Sequence, residues 1–150
     1  MKTYMPLNGL RWSRNSGSAN CDMPQSAVFG RPGGGKIFCE DNVCINAETL
    51  LIASSNIYIG KNSTLAYRTL LTTNANPNAP YNLLSKVYPP IHKDIWIGSN
   101  VWIGAGVIVL PGCRIGNNCV VAAGSVVCRD IPDNVMVAGV PAKIKKKIEL

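Results

Sequence analysis

His92 is the only imidazole in the 150-residue chain. A zinc centre of the three-histidine kind could therefore form only where three chains met on a common axis. The six cysteines, Cys21, Cys39, Cys44, Cys113, Cys119 and Cys128, include no Cys-x-x-Cys and no Cys/His cluster. No zinc finger or other metal site is expected, and a reducing compartment is. Charged residues are scarce at 15%, against 47% hydrophobic, so a core can be buried. Aromatic residues are also few, at 7%, which suits a narrow core better than a broad one. No run of about 18 apolar residues occurs, so no membrane insertion is expected. The opening MKTYMPLNGLRWSRNSG lacks the apolar centre of a signal peptide, and a cytoplasmic protein is expected. Neither a Gly-x-Ser-x-Gly elbow nor a Cys–His pairing points to a covalent enzyme intermediate.

What the chain does have is a repeat. From Ile97 it reads in sixes: IGSNVW, IGAGVI, VLPGCR, IGNNCV, VAAGSV. The first position holds Ile97, Ile103, Val109, Ile115, Val121 and then Val127. The fifth holds Val101, Val107, Cys113, Cys119 and Ser125. Neither a helix nor a simple strand returns an aliphatic residue every six positions. A unit of six makes a short strand and a corner, with the first and fifth side chains inward. Gly98, Gly104 and Gly116 then read as residues that tolerate corner dihedrals. Three units close a coil, so Ile97 should stack on Ile115, Ile103 on Val121 and Val109 on Val127. Coils would sit about 4.8 Å apart, as strands do. The result is an all-β parallel solenoid, each coil burying its apolar face on its neighbours.

These sixes, with the closing RDIPDNVMVAGVPAKI, resemble the bacterial hexapeptide-repeat acyltransferases. The likeness is to the galactoside and maltose acetyltransferases and equally to the polysaccharide O-acetyltransferases, and it spans roughly residues 37–144. It implies a left-handed parallel β-helix, although β-crossovers are normally right-handed. It also implies acetyl-CoA as cosubstrate and a homotrimer.

One domain is expected for this length. Residues 1–35 read as an irregular cap, with a short strand possible in SAVF, because an uncovered solenoid end exposes strand edges. The first coils span 36–71. Cys39, Ile45 and Leu51 take the first position there, with Val43, Thr49 and Ser55 in the fifth. The phase then slips by two, and Ile59, Leu65 and Leu71 resume it. Residues 72–96 lose the repeat and carry four prolines, so they read as a projecting active-site loop. Regular coils follow over 97–138. Residues 139–150 form the C-terminal segment, of which 142–150 are expected to be a short helix or an extended tail.

Acyl transfer from a thioester to a hydroxyl needs a base, and an imidazole suits that work near neutral pH. His92 is the candidate. The resemblance places the family's catalytic histidine at Asn76, its orienting carboxylate at Ser54 and its active-site asparagine at Asn46. Asparagine is no base at neutral pH, so His92 is expected to take over, with Asn76 and Asn46 as polar partners. Ser54, Tyr81 and Trp102 are candidates for the acceptor side. The resemblance puts coenzyme A against Ala105, Ala123, Cys128, Arg129, Lys143 and Lys146, with the Ala105 N–H as oxyanion donor. The chain's formal charge is +7. The run Lys143, Lys145, Lys146, Lys147 reads as a phosphate clamp or a solvated tail rather than a nucleic-acid site. The function so implied is acetyl transfer to a hydroxyl, less readily an amine, of a sugar or sugar-bearing metabolite. A non-catalytic homologue that binds coenzyme A or a partner is the alternative.

Overall fold

The computed structural model describes residues 3–4, 28–30 and 34–150. Each six gives a two- or three-residue strand and a turn, and the strands stack into three parallel sheets. These sheets are the faces of a three-sided prism. The first face holds Ile37–Cys39, Ile57–Ile59, Ile95–Ile97 and Arg114–Ile115. The second holds Cys44–Ile45, Thr64–Leu65, Trp102–Ile103, Val120–Val121 and Val135–Ala138. The third holds Val28–Gly30, Leu50–Ile52, Leu70–Thr72, Ile108–Val109 and Val126–Val127. Register follows the repeat: Ile97 lies opposite Ile115, Ile103 opposite Val121 and Val109 opposite Val127.

Every first-position residue from Cys39 to Val127 is buried, and Val101, Val107, Cys113, Cys119 and Ser125 are buried in the fifth. Burying each large aliphatic side chain stabilises the fold by about 1.5–3 kcal/mol. Buried hydroxyls are satisfied within the coils. Ser63 donates to the Gly98 carbonyl at 2.8 Å and accepts the Val101 N–H at 3.0 Å. Ser125 donates to the Ala122 carbonyl and accepts the Gly139 N–H. Ser55 departs from the expected inward position. It is half-buried, and Ala53 fills the core instead, because the extra residues enter the corner right after Ala53.

The glycines that follow the first position serve crowding rather than dihedrals. Gly98, Gly104 and Gly116 have ordinary φ, but a Cβ on Gly104 would sit 2.5 Å from the Ala123 backbone nitrogen. At the first-to-second corners asparagines adopt the left-handed turn conformation, as Gly106 and Gly124 do at the second-to-third corners. Asn42, Asn62, Asn100, Asn118 and Asn134 all have φ between 55° and 60°. They run up the edge between the first and second faces, and each side-chain amide donates to the next at 2.8–3.2 Å. A second ladder covers the first face, where the Phe38, Tyr58 and Trp96 rings stack at 5.0 and 3.7 Å. The Arg114 guanidinium closes it, 5.2 Å from the Trp96 ring.

All variation in coil length falls on one edge. First-to-second and second-to-third steps take six residues in every coil, as from Ile97 to Ile103 to Val109. From third face back to first, eight residues separate Leu51 from Ile59 and 26 separate Leu71 from Ile97. Six separate Val109 from Ile115, and four separate Val127 from Ile131. The excursion is shorter than the expected 72–96, since Leu70–Thr72 is a strand and Thr73 and Ile95 are buried. It opens as an antiparallel pair, Asn74–Ala75 with Ile91–His92, and carries a single 3-10 turn at Leu83–Lys86.

The prism ends on reversed strands. Thr3–Tyr4 pairs antiparallel with Ile37–Cys39, and Lys143–Lys147 pairs antiparallel with Val135–Ala138. An antiparallel strand breaks the stacking that an open edge invites. The tail is thus extended, not helical. The expected cap over 1–35 lies mostly outside the described residues. Its two described pieces, Thr3–Tyr4 and Val28–Gly30, are strands rather than irregular chain. Of SAVF, Val28 and Phe29 are in the second of these, and residues 26–27 lie outside the described residues.

Candidate active site

The residues singled out in the sequence fall on two edges of the prism. Ser54, Asn76, Tyr81, His92, Cys128 and Arg129 belong to the third-to-first edge or to the loop it carries. Asn46, Ala105 and Ala123 belong to the second-to-third edge. Trp102 points outward from the second face, 60% exposed, and Lys143 and Lys146 lie on that face's last strand. A face of six residues spans at most about 20 Å. Within one protomer His92 lies at the third-to-first edge of the coil that carries Trp102 on its second face and Ala105 at its second-to-third edge.

The third-to-first edge is the better-built of the two. His92 lies opposite Asn74 in the two-stranded base of the loop, and Lys93 N donates to the Thr73 carbonyl at 2.9 Å. Its ring Nδ1 sits 3.3 Å from the Ser54 hydroxyl in the coil beneath. The backbone around Ser54 is pinned in turn. Ser55 N donates to Thr73 Oγ1 at 2.9 Å, and Asn56 N donates to Asp94 Oδ1 at 2.8 Å. Ser54 is half-buried and His92 exposed. Asn76 is occupied locally, its Oδ1 accepting the Ala79 N–H at 2.9 Å. Tyr81 stands at the loop tip, 85% exposed.

On the second-to-third edge, the Asn46 side-chain nitrogen donates to the Leu65 carbonyl at 2.9 Å. Ala105 and Ala123 are exposed corner residues. Their neighbours Gly106 and Gly124 donate inward, to the carbonyls of Tyr67 and Ala105. Among the described residues, the Ala105 N–H meets no acceptor. It is available to a ligand at the corner.

Burial pushes the Cys113 thiol up to about 11, helped by the nearby Asp130 and Cys128. Burial raises Cys119 as well. Both are core residues, not nucleophiles. Among the described residues no cluster of three or more His, Cys, Asp or Glu side chains could hold a metal, and no helix is long and apolar enough to cross a membrane. A groove of about 510 Å³ on the first face, beside Trp96 and Arg114, includes none of the candidate site residues. Its carboxylates are committed to the fold: Asp130 and Asp133 accept the backbone N–H groups of Arg114 and Asn117.

The sequence reading missed Asn74 and Asp94. Asp94 had a signal, a carboxylate directly before the strand that resumes the repeat. Asn74 had none, because only strand pairing brings it opposite His92.

The prism superposes on a solved maltose O-acetyltransferase from Clostridium difficile 630 with a TM-score of 0.62 and 32% identity, over 84% of this chain and 68% of that one. The chain belongs to the hexapeptide-repeat acyltransferase family. A mirror-image coil could not superpose in this way, so the β-helix is left-handed, as the family's is. The family model described as bacterial transferase hexapeptide (six repeats) matches residues 94–129. A curated relative, the galactoside O-acetyltransferase of Lactococcus lactis, is 37% identical over 137 residues, 86% of this chain. The chain spans only 61% of that relative's length. A galactoside acetyltransferase solved in complex with coenzyme A is 31% identical, with a TM-score of 0.61 over 83% of this chain and 63% of that one.

Proposed function

We propose that the protein transfers an acetyl group from acetyl-CoA to a hydroxyl of a sugar or sugar-bearing acceptor. The observation that carries this reading is the placement of the chain's one imidazole. His92 is held on an exposed edge at the foot of the loop, against Ser54, while Asn76 is used up in a turn. The family's relatives, which include a galactoside acetyltransferase bound to coenzyme A, support the thioester donor.

In the proposed reaction His92 takes the proton of the acceptor hydroxyl as its oxygen attacks the thioester carbonyl. The carbonyl oxygen gains charge and is met by the Ala105 N–H, which meets no acceptor among the described residues. The C–S bond then breaks, and the departing coenzyme A thiolate recovers the proton from the imidazolium. No covalent enzyme is formed. Cys128 and Arg129 flank the pantetheine arm, with Ala123 at the next corner, and Lys143 and Lys146 meet the nucleotide phosphates. Asn46, Tyr81 and Trp102 face the acceptor. His92 and Ala105 stand on different edges of the protomer. A homotrimer joins the His92 edge of one copy to the Ala105 edge of the next and completes the groove.

Steady-state kinetics with acetyl-CoA and a panel of sugar acceptors test the reading. His92→Ala should lower turnover by about 10²–10⁴-fold and leave coenzyme A affinity nearly unchanged. Activity that survives in His92→Ala removes the base from this residue. Tight coenzyme binding without turnover in the parent protein favours a non-catalytic binding role instead.

A further inference from the structure

Resting on the acetyl-transfer reading and its homotrimer, we propose that Arg68 is a specificity residue that binds an anionic group on the acceptor. The preferred substrate is then a sugar that carries a carboxylate or a phosphate. The second-to-third edge changes character at the level of Ala105. Its corners stack one per coil: Gly124 N donates to the Ala105 carbonyl, Gly106 N to that of Tyr67 and Arg68 N to that of Ala47. The two upper corners are Ala123-Gly124 and Ala105-Gly106, and a Cβ on Gly106 or Gly124 would meet nothing within 4 Å. The two lower corners are Ala47-Glu48 and Tyr67-Arg68. The bare upper edge leaves room for the pantetheine arm, towards the end of the face that carries the lysine strand. The lower edge faces what the thioester reacts with.

Backbone and charge both single out this corner. Glu48 and Arg68 have φ of 59° and 58°, and every other residue with positive φ among the described residues is Asn or Gly. A long side chain in that conformation carries a backbone cost that glycine, present at the next two corners, avoids. The ion pair between them does not offset it. The Arg68 and Glu48 side chains are 74% and 54% exposed, and exposed pairs add little. Among the described residues Arg68 bonds only Glu48, through Nε. Its two Nη groups are left for a forked contact with a carboxylate or phosphate. Tyr67 beside it is 59% exposed, and its N–H meets no acceptor among the described residues. His92 lies at the edge where the coil of Arg68 passes into the coil of Ala105. Its height therefore falls between the two, which are one strand spacing of about 4.8 Å apart. With the His92 edge of one copy against this edge of the next, an acceptor hydroxyl between His92 and Ala105 brings its anionic group to Arg68.

Turnover of acetyl-CoA with galactose, galacturonic acid and galactose 1-phosphate tests this, the two acids distinguishing carboxylate from phosphate. The parent protein should favour at least one of the acids over galactose by about 10–100-fold in kcat/KM, the worth of hydrogen bonds to a charged group. Arg68→Asn suits the left-handed turn. It should remove that preference through the KM of the acidic sugar, with a thermal midpoint no lower than the parent's, and Arg68→Lys should keep part of the preference. A purely structural ion pair would lower the midpoint and spare the preference. Equal kcat/KM for all three sugars overturns the proposal, and so does a preference that survives in Arg68→Asn. Calorimetric titration of the same sugars into the coenzyme A-loaded protein separates this proposal from the reading beneath it. An acid that binds the parent but not Arg68→Asn, with no sugar acetylated, upholds Arg68 and removes acetyl transfer. Acetylation of galactose alone upholds transfer and removes Arg68. Neither binding nor turnover of either acid also overturns the proposal.

Discussion

Ile115→Asp tests the inward assignment at its most demanding point. Ile115 is 2% exposed, stacked between Ile97 and Ile131 in a column of aliphatic side chains. No buried basic side chain exists among the described residues to pair with a carboxylate there. Losing the isoleucine costs about 1.5–3 kcal/mol of apolar burial, and placing a polar group there costs about 1–3 more. Those terms are common to Asp and Asn. The carboxyl must in addition enter the core protonated. From an unfolded pKa of about 3.9, that adds about 5 kcal/mol at pH 7.5 and about 1 kcal/mol at pH 4.5, at 1.36 kcal/mol per unit. The total at pH 7.5 approaches the whole stability of a small domain, about 5–15 kcal/mol. The native state keeps a proton that the unfolded chain has lost, so this variant weakens as pH rises above about 4. Urea denaturation of Ile115→Asp and Ile115→Asn at both pH values is the assay. The gap between the two should widen by up to about 4 kcal/mol from pH 4.5 to 7.5, or Ile115→Asp should be folded only in acid. A gap independent of pH would put residue 115 in solvent and refute the stacking.

Replacing Lys143 and Lys146 together by Ala should weaken coenzyme A binding by roughly 1–3 kcal/mol in calorimetry, less at high salt. Alkylation at pH 8 followed by mass spectrometry should label exposed Cys128 long before buried Cys113 and Cys119. Cys113 ionises at about 11 when folded, above the ordinary thiol value, so the unfolded chain loses its proton first. Stability should therefore fall between about pH 8.5 and that value, and Cys113→Ala should flatten the slope in urea midpoints. Asn100→Ala removes two amide bonds of the edge ladder and leaves alanine in a left-handed turn; roughly 2–3 kcal/mol of stability should be lost on urea denaturation.

The coil was legible because one rule, an aliphatic residue every six, acts on each turn separately. Five repeats in phase gave the register of Ile97 on Ile115 and Val109 on Val127, and both hold. The two-residue slip was visible too, but not that Ala53 rather than Ser55 keeps the core, since either is small enough for the site. The glycine reasoning failed because a sequence records that a Cβ is missing, not whether space or dihedral demands it. At the site, resemblance pointed to residue 54 and strand pairing supplied its partner. The meeting of Ser54 with His92 depends on residues 38 apart, whose pairing is set only when the loop closes on its own base. Periodicity carries no information about such a closure.

The confinement of length changes to one edge separates two kinds of heritable change. On the edge threaded by asparagines, an added residue would break the amide chain and push every later side chain to the opposite surface. On the loop edge, two extra residues and some twenty extra residues leave the register of the strands above and below intact. The loop can therefore drift by insertion and deletion at that corner while the scaffold is left alone. For an engineer the same corner is a splice point. A recognition loop of any length whose ends meet like Thr73 and Asp94 can be grafted there without redesigning the prism.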